Sequence, residues 1–241
     1  MNEERICEVC GNLIPVDSPG GNCLTCALKT AFTDVDDFEG RKIGNYTIIE
    51  QIGRGGFGVV YLAGQSVPVR RHVALKILSR SSVDERLKGQ FVAEQQALAL
   101  MSHPNIAKIF DAGETEWGMP YFVMELIEGE PITTYCDRKK LTPRERIEIF
   151  RHVCSGVQHA HQKAIIHRDL KPANILVEEI DDRPVPKIID FGVAKAMGAP
   201  LADLSFHLEA GRVFGTPEYM PPEQARGDSD IDTRADIYSL G

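Results

Sequence analysis

From residue 46 onward, short apolar runs alternate with glycine and polar breaks: YTIIEQIG, then GRGGFG, then VVYLA, and after a polar gap HVALKIL. Their β-branched content and the glycines between them predict three strands. Over residues 83–101 the period changes. Leu87, Phe91, Leu98 and Met101 step at helical intervals and predict one amphipathic helix. Two further strands, IAKIFDAG and PYFVMEL, lead to a second helix with a clear start signal. Thr142 suits the cap, Pro143 the first helical position, and Glu145 completes a capping box. Its predicted inner face is Ile147, Phe150, Val153, Cys154 and Val157, and it ends near His161, before IIHRDLKPANILV.

Two charges interrupt these apolar patterns. Lys76 stands inside HVALKIL, and burying an ammonium without an anion is expensive. A lone lysine of this kind is as often a solvated edge residue. The next helix changes that balance, because position 94 falls on its apolar stripe and holds Glu94. A carboxylate on a buried face wants a cation, and Lys76 is the available one. The glycines Gly53, Gly55 and Gly58 fit a phosphate-cradling loop, a pattern shared with dinucleotide folds. There the loop opens a helix. Here Val59, Val60, Tyr61 and Leu62 continue as a strand, so the glycines turn between two antiparallel strands.

HRDLKPAN, His167 to Asn174, matches the protein-kinase catalytic loop at its fixed positions, and Asp190-Phe191-Gly192 matches that family's metal motif. With the glycine loop, the VALK lysine and Glu94 in the expected order, residues 46–241 resemble a protein kinase domain. The resemblance implies an α+β, bilobal fold: an antiparallel β-sheet N-lobe with its helix (46–125) and a mainly α C-lobe (126–241). On this resemblance the C-lobe is expected to be incomplete, since ADIYSLG stops inside what the family builds as a central helix; a fragment of a longer product is the expected reading, and a lobe completed by something else the alternative.

It also implies ATP and Mg²⁺, with two ions, as cofactors. The nucleotide falls to Ile52, Gly53, Arg54, Gly55, Gly56, Phe57, Gly58, Val59 and Val60, with Ala74, Met124, Glu125, Ile127 and Leu176 around the adenine. Lys76 faces the phosphates and Glu94 orients it. Asn174 and Asp190 hold magnesium, Asp169 accepts the proton of the acceptor hydroxyl, and Lys171 balances charge on the transferring group. Leu98, Ile109, His167 and Phe191 resemble an apolar spine based on Asp236. The DLKPAN form resembles serine/threonine rather than tyrosine kinases, and the GTPEYM style looks bacterial. Between Asp190 and Glu223 the non-tyrosine hydroxyls are Ser205 and Thr216. Thr216 resembles the threonine facing the catalytic loop. Ser205 is then the phosphosite candidate, with Arg168 to pair the phosphate, and an ordinary loop serine is the equal alternative. Pro221-Pro222-Glu223 departs from the family's usual alanine-proline-glutamate.

Charge divides the chain near residue 40. Of the net −8, residues 1–40 carry −6, from eight acids and two bases. In that segment Cys7, Cys10, Cys23 and Cys26 form two C-x2-C pairs separated by twelve residues. Such pairs suit one tetrahedral, structural Zn²⁺, and resemble a zinc-ribbon module over residues 1–30, followed by an acidic linker over 31–45. A redox pair and four unrelated cysteines are the alternatives; a redox motif belongs to a larger domain than forty residues supply.

No apolar run approaches the ~18 residues of a membrane span, and MNEERICEVC lacks the marks of a secretory signal. The expected compartment is the cytoplasm, with membrane attachment left to sequence beyond Gly241. The acidic balance gives no reason to expect nucleic acid as a partner. The expected function is an ATP-dependent protein kinase acting on serine and threonine of protein substrates, in bacterial signalling. The alternative is a catalytically silent fragment or pseudokinase that binds nucleotide or docks a partner.

Overall fold

The computed structural model describes residues 5–6, 13–14, 38–55, 58–78, 101–191, 208–209, 212–213, 217–226, 228 and 231–241. Predicted positions Gly56, Phe57, Glu94, Leu98, Gly192, Ser205, Thr216 and the four N-terminal cysteines lie outside them, as does the helix predicted over 83–101 apart from its last residue, Met101, which is not helical. Two units divide between Glu39 and Gly40. In the first, strands β1 (Arg5–Ile6) and β2 (Leu13–Ile14) pair antiparallel, Arg5 opposite Ile14 and Ile6 opposite Leu13.

The second unit is built on a six-stranded antiparallel sheet. In chain order its strands are β3 (Lys42–Ile43), β4 (Tyr46–Gly55), β5 (Gly58–Gln65), β6 (Arg71–Leu78), β7 (Ile109–Glu114) and β8 (Pro120–Met124). They lie side by side as β3-β4-β5-β6-β8-β7. β3 falls within the stretch read from sequence as linker. The predicted IAKIFDAG strand starts late, because Ile106 instead makes a parallel bridge to Ile188. The glycine hairpin is closed by its own sterics. A Cβ on Gly58, at φ +150°, would lie 2.0 Å from the Ile77 carbonyl oxygen, so only glycine lets β5 run this close to β6.

A smaller sheet orders β11-β10-β9, from β9 (Glu130–Pro131), β10 (Ile175–Ile180) and β11 (Arg183–Ile188). It packs with helices α1 (Ile132–Arg138) and α2 (Pro143–His161). The capping box of α2 forms as its sequence implies: Thr142 Oγ1 accepts from the Glu145 N–H at 3.4 Å, and Glu145 Oε2 accepts from the Thr142 N–H at 2.8 Å. The buried stripe of α2 is Ile149, Val153, Gly156, Val157 and Ala160. The predicted inner face is corrected at Ile147, which is 60% exposed. It shares a second apolar stripe with Phe150, turned from the first, that lines a groove with Leu170 and Leu240. The main core joins Val153, Val157 and Ala160 to Met101, Ile106, Leu170, Ile175, Ile188 and Phe191. Small strands β12 (Leu208–Glu209) and β13 (Arg212–Val213), helices α3 (Pro222–Ala225) and α4 (Arg234–Leu240), and the 3-10 turns Pro172–Asn174 and Pro217–Tyr219 complete the described elements. No described helix is long and apolar enough to cross a membrane.

Candidate active site

Sheet register carries the upper half of the site. Gly53 lies opposite Val60 on β5, Val60 opposite Lys76 on β6, and Lys76 opposite Phe122 on β8. Ala74 lies opposite Met124, the last residue before the segment joining the two sheets. Ala74, Leu78, Phe122 and Met124 form one buried cluster, with Val60, Ile109 and Leu126 packed against it. Ile127 is buried and Leu176 half-buried. Ile52 and Arg54 are exposed and Val59 is buried. A Cβ on Gly55 would meet nothing within 4 Å. Its lack of a side chain is therefore not demanded by internal packing, and it leaves the hairpin open to close approach by a ligand.

Lys76 is 5% exposed, and its Nζ lies 2.8 Å from Asp190 Oδ2. The pairing answers why an ammonium can sit in that apolar strand. The partner that can be seen is Asp190; Glu94, the partner expected from sequence, lies outside the described residues. Asp190 takes φ +63°, a left-handed backbone that aspartate tolerates better than most residues. Phe191 beside it is buried against the His167 ring, centroids 4.7 Å apart.

The lower half is one hydrogen-bonded loop. Lys171 Nζ reaches both Asp169 carboxylate oxygens, at 3.0 and 2.8 Å. Asn174, buried on the 3-10 turn Pro172–Asn174, donates its amide to the Asp169 carbonyl at 2.7 Å and to Asp169 Oδ2 at 3.0 Å. The Asn174 carbonyl accepts the Ile189 N–H at 3.0 Å, which ties this loop to the residue before Asp190. His167 braces the same junction. Its Nε2 faces the Ile189 carbonyl at 2.9 Å, and its Nδ1 accepts the Asp169 N–H at 3.2 Å. A carbonyl needs a donor, so the proton is assigned to Nε2.

Beneath the loop, Asp236 of α4 is fully buried. Its Oδ2 accepts from His161 Nε2 at 2.7 Å and the His167 N–H at 2.8 Å, and its Oδ1 accepts the Arg168 N–H at 2.9 Å. Arg168, held at φ +67°, has its carbonyl bonded by Gln224 Nε2 at 2.9 Å. Sequence reasoning named Asp236 but missed His161, Gln224, Asn105 and Lys187. The last had a signal, a lysine in the apolar run VPKIID, of the kind that singled out Lys76.

The arrangement is one for phosphoryl transfer: an open glycine hairpin, a buried lysine–aspartate pair, and an aspartate with a lysine and an asparagine at its carboxylate. The protein kinase domain family model matches residues 46–241. The chain belongs to the protein kinase family. It is 36% identical over 234 residues to the serine/threonine-protein kinase Pkn1 of Myxococcus xanthus, covering 96% of this chain and 33% of that protein. It is 37% identical over 201 residues to the serine/threonine-protein kinase PknB of Mycobacterium leprae, covering 81% of this chain and 31% of that one. It thus spans about a third of the length of these curated relatives. The Mycobacterium tuberculosis PknI kinase domain superposes with a TM-score of 0.63 at 26% identity, over 84% of this chain and 73% of that one.

Proposed function

We propose that this chain carries the catalytic machinery of an ATP-dependent kinase that phosphorylates serine and threonine hydroxyls of proteins in bacterial signalling. The observation that bears most weight is the coupling of the Lys76–Asp190 pair to the Asp169–Lys171–Asn174 loop through the Asn174–Ile189 bond. The serine/threonine preference rests on the DLKPAN form of the loop and on the names of the relatives.

Asp169 takes the proton as the hydroxyl attacks, Lys171 offsets charge on the moving phosphoryl group, and Lys76 faces the α- and β-phosphates. The donor set suits a hard cation. Asn174 has its amide nitrogen committed to Asp169, so its carbonyl oxygen is the metal-seeking atom, alongside the Asp190 carboxylate. Magnesium, when bound there with the nucleotide, neutralises phosphate charge. Met124, Glu125 and Ile127 bound the adenine, with Val60, Ala74 and Leu176 on its faces.

The remaining assignments extend this reading. Domains run over residues 1–30, a linker over 31–45 whose end, Lys42–Ile43, adds edge strand β3 to the sheet, and 46–241, with the lobes meeting at 125/126. The two C-x2-C pairs, Cys7 with Cys10 and Cys23 with Cys26, would hold one structural Zn²⁺; this reading rests on their spacing in the sequence. Ser205 is the regulatory site, its phosphate paired by Arg168, and the reducing cytoplasm is the working compartment.

Intact-mass spectrometry of the chain with Mg·ATP and a generic serine/threonine substrate tests the activity, with Asp169→Asn as control. Phosphate on the substrate with wild type alone is the expected result. Nucleotide binding without transfer would favour the pseudokinase instead. Elemental analysis is expected to give one zinc per chain, lost in Cys7→Ser with Cys10→Ser.

A further inference from the structure

One buried cation takes no part in the steps above. Lys187 on β11 is 7% exposed, and its Nζ donates to Glu125 Oε1 at 2.8 Å. Glu125 opens the segment that joins the two sheets. Its Oε2 accepts the Lys108 N–H at 3.1 Å, and its own N–H donates to the Lys108 carbonyl at 2.8 Å. Both carboxylate oxygens are thus committed to the chain. Only the main chain of residues 125–127 is left to serve an adenine edge.

The strand that carries Lys187 is itself fixed. Asn105 Nδ2 donates to the Pro186 carbonyl at 2.8 Å, the Ile188 N–H to the Asn105 carbonyl at 2.9 Å, and the Ala107 N–H to the Ile188 carbonyl at 2.9 Å. Two residues beyond Ile188 stands Asp190, paired with Lys76. One short path therefore links the segment 125–127 to the lysine–aspartate pair. Besides Glu125, the Glu178 carboxylate lies within the electrostatic reach of Lys187. Burial pushes the Glu178 carboxyl above its usual range; Lys187 opposes the rise, and Glu125 and Glu128 add to it. A strand position that served packing alone would be filled more cheaply by an apolar side chain.

We propose that Lys187 is a positioning residue for nucleotide binding. By holding the Glu125 carboxylate it sets where the main chain of 125–127 stands relative to Lys76 and Asp190. This rests on the reading of 125–127 as the adenine-contacting segment.

The test uses the whole chain as wild type, Lys187→Met, Lys187→Arg, the single variants Glu125→Lys and Lys187→Glu, and the double swap that combines those two. Three quantities are measured: Mg·ADP affinity by calorimetry, the split of KM for ATP against kcat, and amide hydrogen exchange across residues 125–129. Lys187→Met should weaken nucleotide binding and raise KM about tenfold, change kcat less than about twofold, and speed exchange in that segment. Lys187→Arg and the swap should each recover most of the loss. Should Lys187→Met fail to fold, the arginine variant and the swap still compare against Glu125→Lys alone. Wild-type affinity and exchange in Lys187→Met, or a swap no better than its single parents, overturns the proposal. A wild-type chain that binds no nucleotide would sink the adenine reading instead, and exchange measured without ligand would still decide whether Lys187 holds the segment.

Discussion

Asp236→Asn tests how the catalytic loop is held. The wild-type carboxylate accepts three donors: His161 Nε2 and the His167 N–H at Oδ2, and the Arg168 N–H at Oδ1. An asparagine has one acceptor atom, so one of the two positions must become an NH2 group facing a donor. The cheaper orientation keeps the carbonyl at the doubly used Oδ2 position and sets the NH2 against Arg168. One charge-assisted bond is lost, at about 2 kcal/mol, and the other two weaken by about 1 kcal/mol together. The expected destabilisation is about 3 kcal/mol, and for a domain of this size that lowers Tm by roughly 6–12 °C. Thermal melts by circular dichroism and urea titrations measure it. Activity should fall further than stability. Arg168 is held at φ +67° partly by this bond, and release of that strained backbone shifts Asp169 away from Lys171 and Asn174. Turnover at 15 °C, where the variant stays folded, should drop at least about tenfold. A loss below about 1 kcal/mol, or unchanged turnover per folded molecule, would refute the anchoring argument.

Lys76→Met should leave the melt close to wild type but cut phosphoryl transfer at least about 100-fold, read by substrate phosphorylation. Gly58→Ala forces a methyl group to within 2.0 Å of the Ile77 carbonyl, and should cost at least about 2 kcal/mol in urea titrations. His103 has its imidazole pKa lowered from 6.5, chiefly by burial and then by His159 and His152. The unfolded chain therefore takes up its proton first, so this contribution to stability is full above about pH 6.5 and is lost as pH falls below it. Melts between pH 7.5 and 5 should slope less in His103→Gln. Tyr46 is pushed up to about 12 by burial and then by its bond to Asp111. Between pH 10 and 12 the unfolded chain ionises here first and stability falls; phenolate absorbance should show one late-titrating group fewer in Tyr46→Phe.

Local signals carried most of what was legible. The capping box, the glycine hairpin and the HRDLKPAN loop are each set by residues within a few positions of one another, so pattern alone reaches them. Periodicity was less decisive on α2, where two apolar stripes coexist. Ile147 and Ile149 differ by two positions on a helix and so point to different sides, yet both look apolar in sequence. Which stripe is buried depends on β11 and Ile188, elements that lie far along the chain.

Lys76 and Lys187 sharpen the point, because the same local oddity marks both: a lysine inside an apolar strand. For Lys76 a family motif supplied the meaning. For Lys187 nothing nearby did, since its partner Glu125 lies 62 residues away. A sequence shows that a buried ammonium needs an anion, but strand order selects the anion. Here β11 runs beside the loop at Asn105–Ala107, and that loop leads through Lys108 to Glu125. The bond partners that sequence reasoning missed, His161 and Gln224 as well as Lys187, all reach across such long separations to groups that hold the site without entering the chemistry. A catalytic loop announces itself by its own residues, whereas its supports are ordinary side chains made specific by topology.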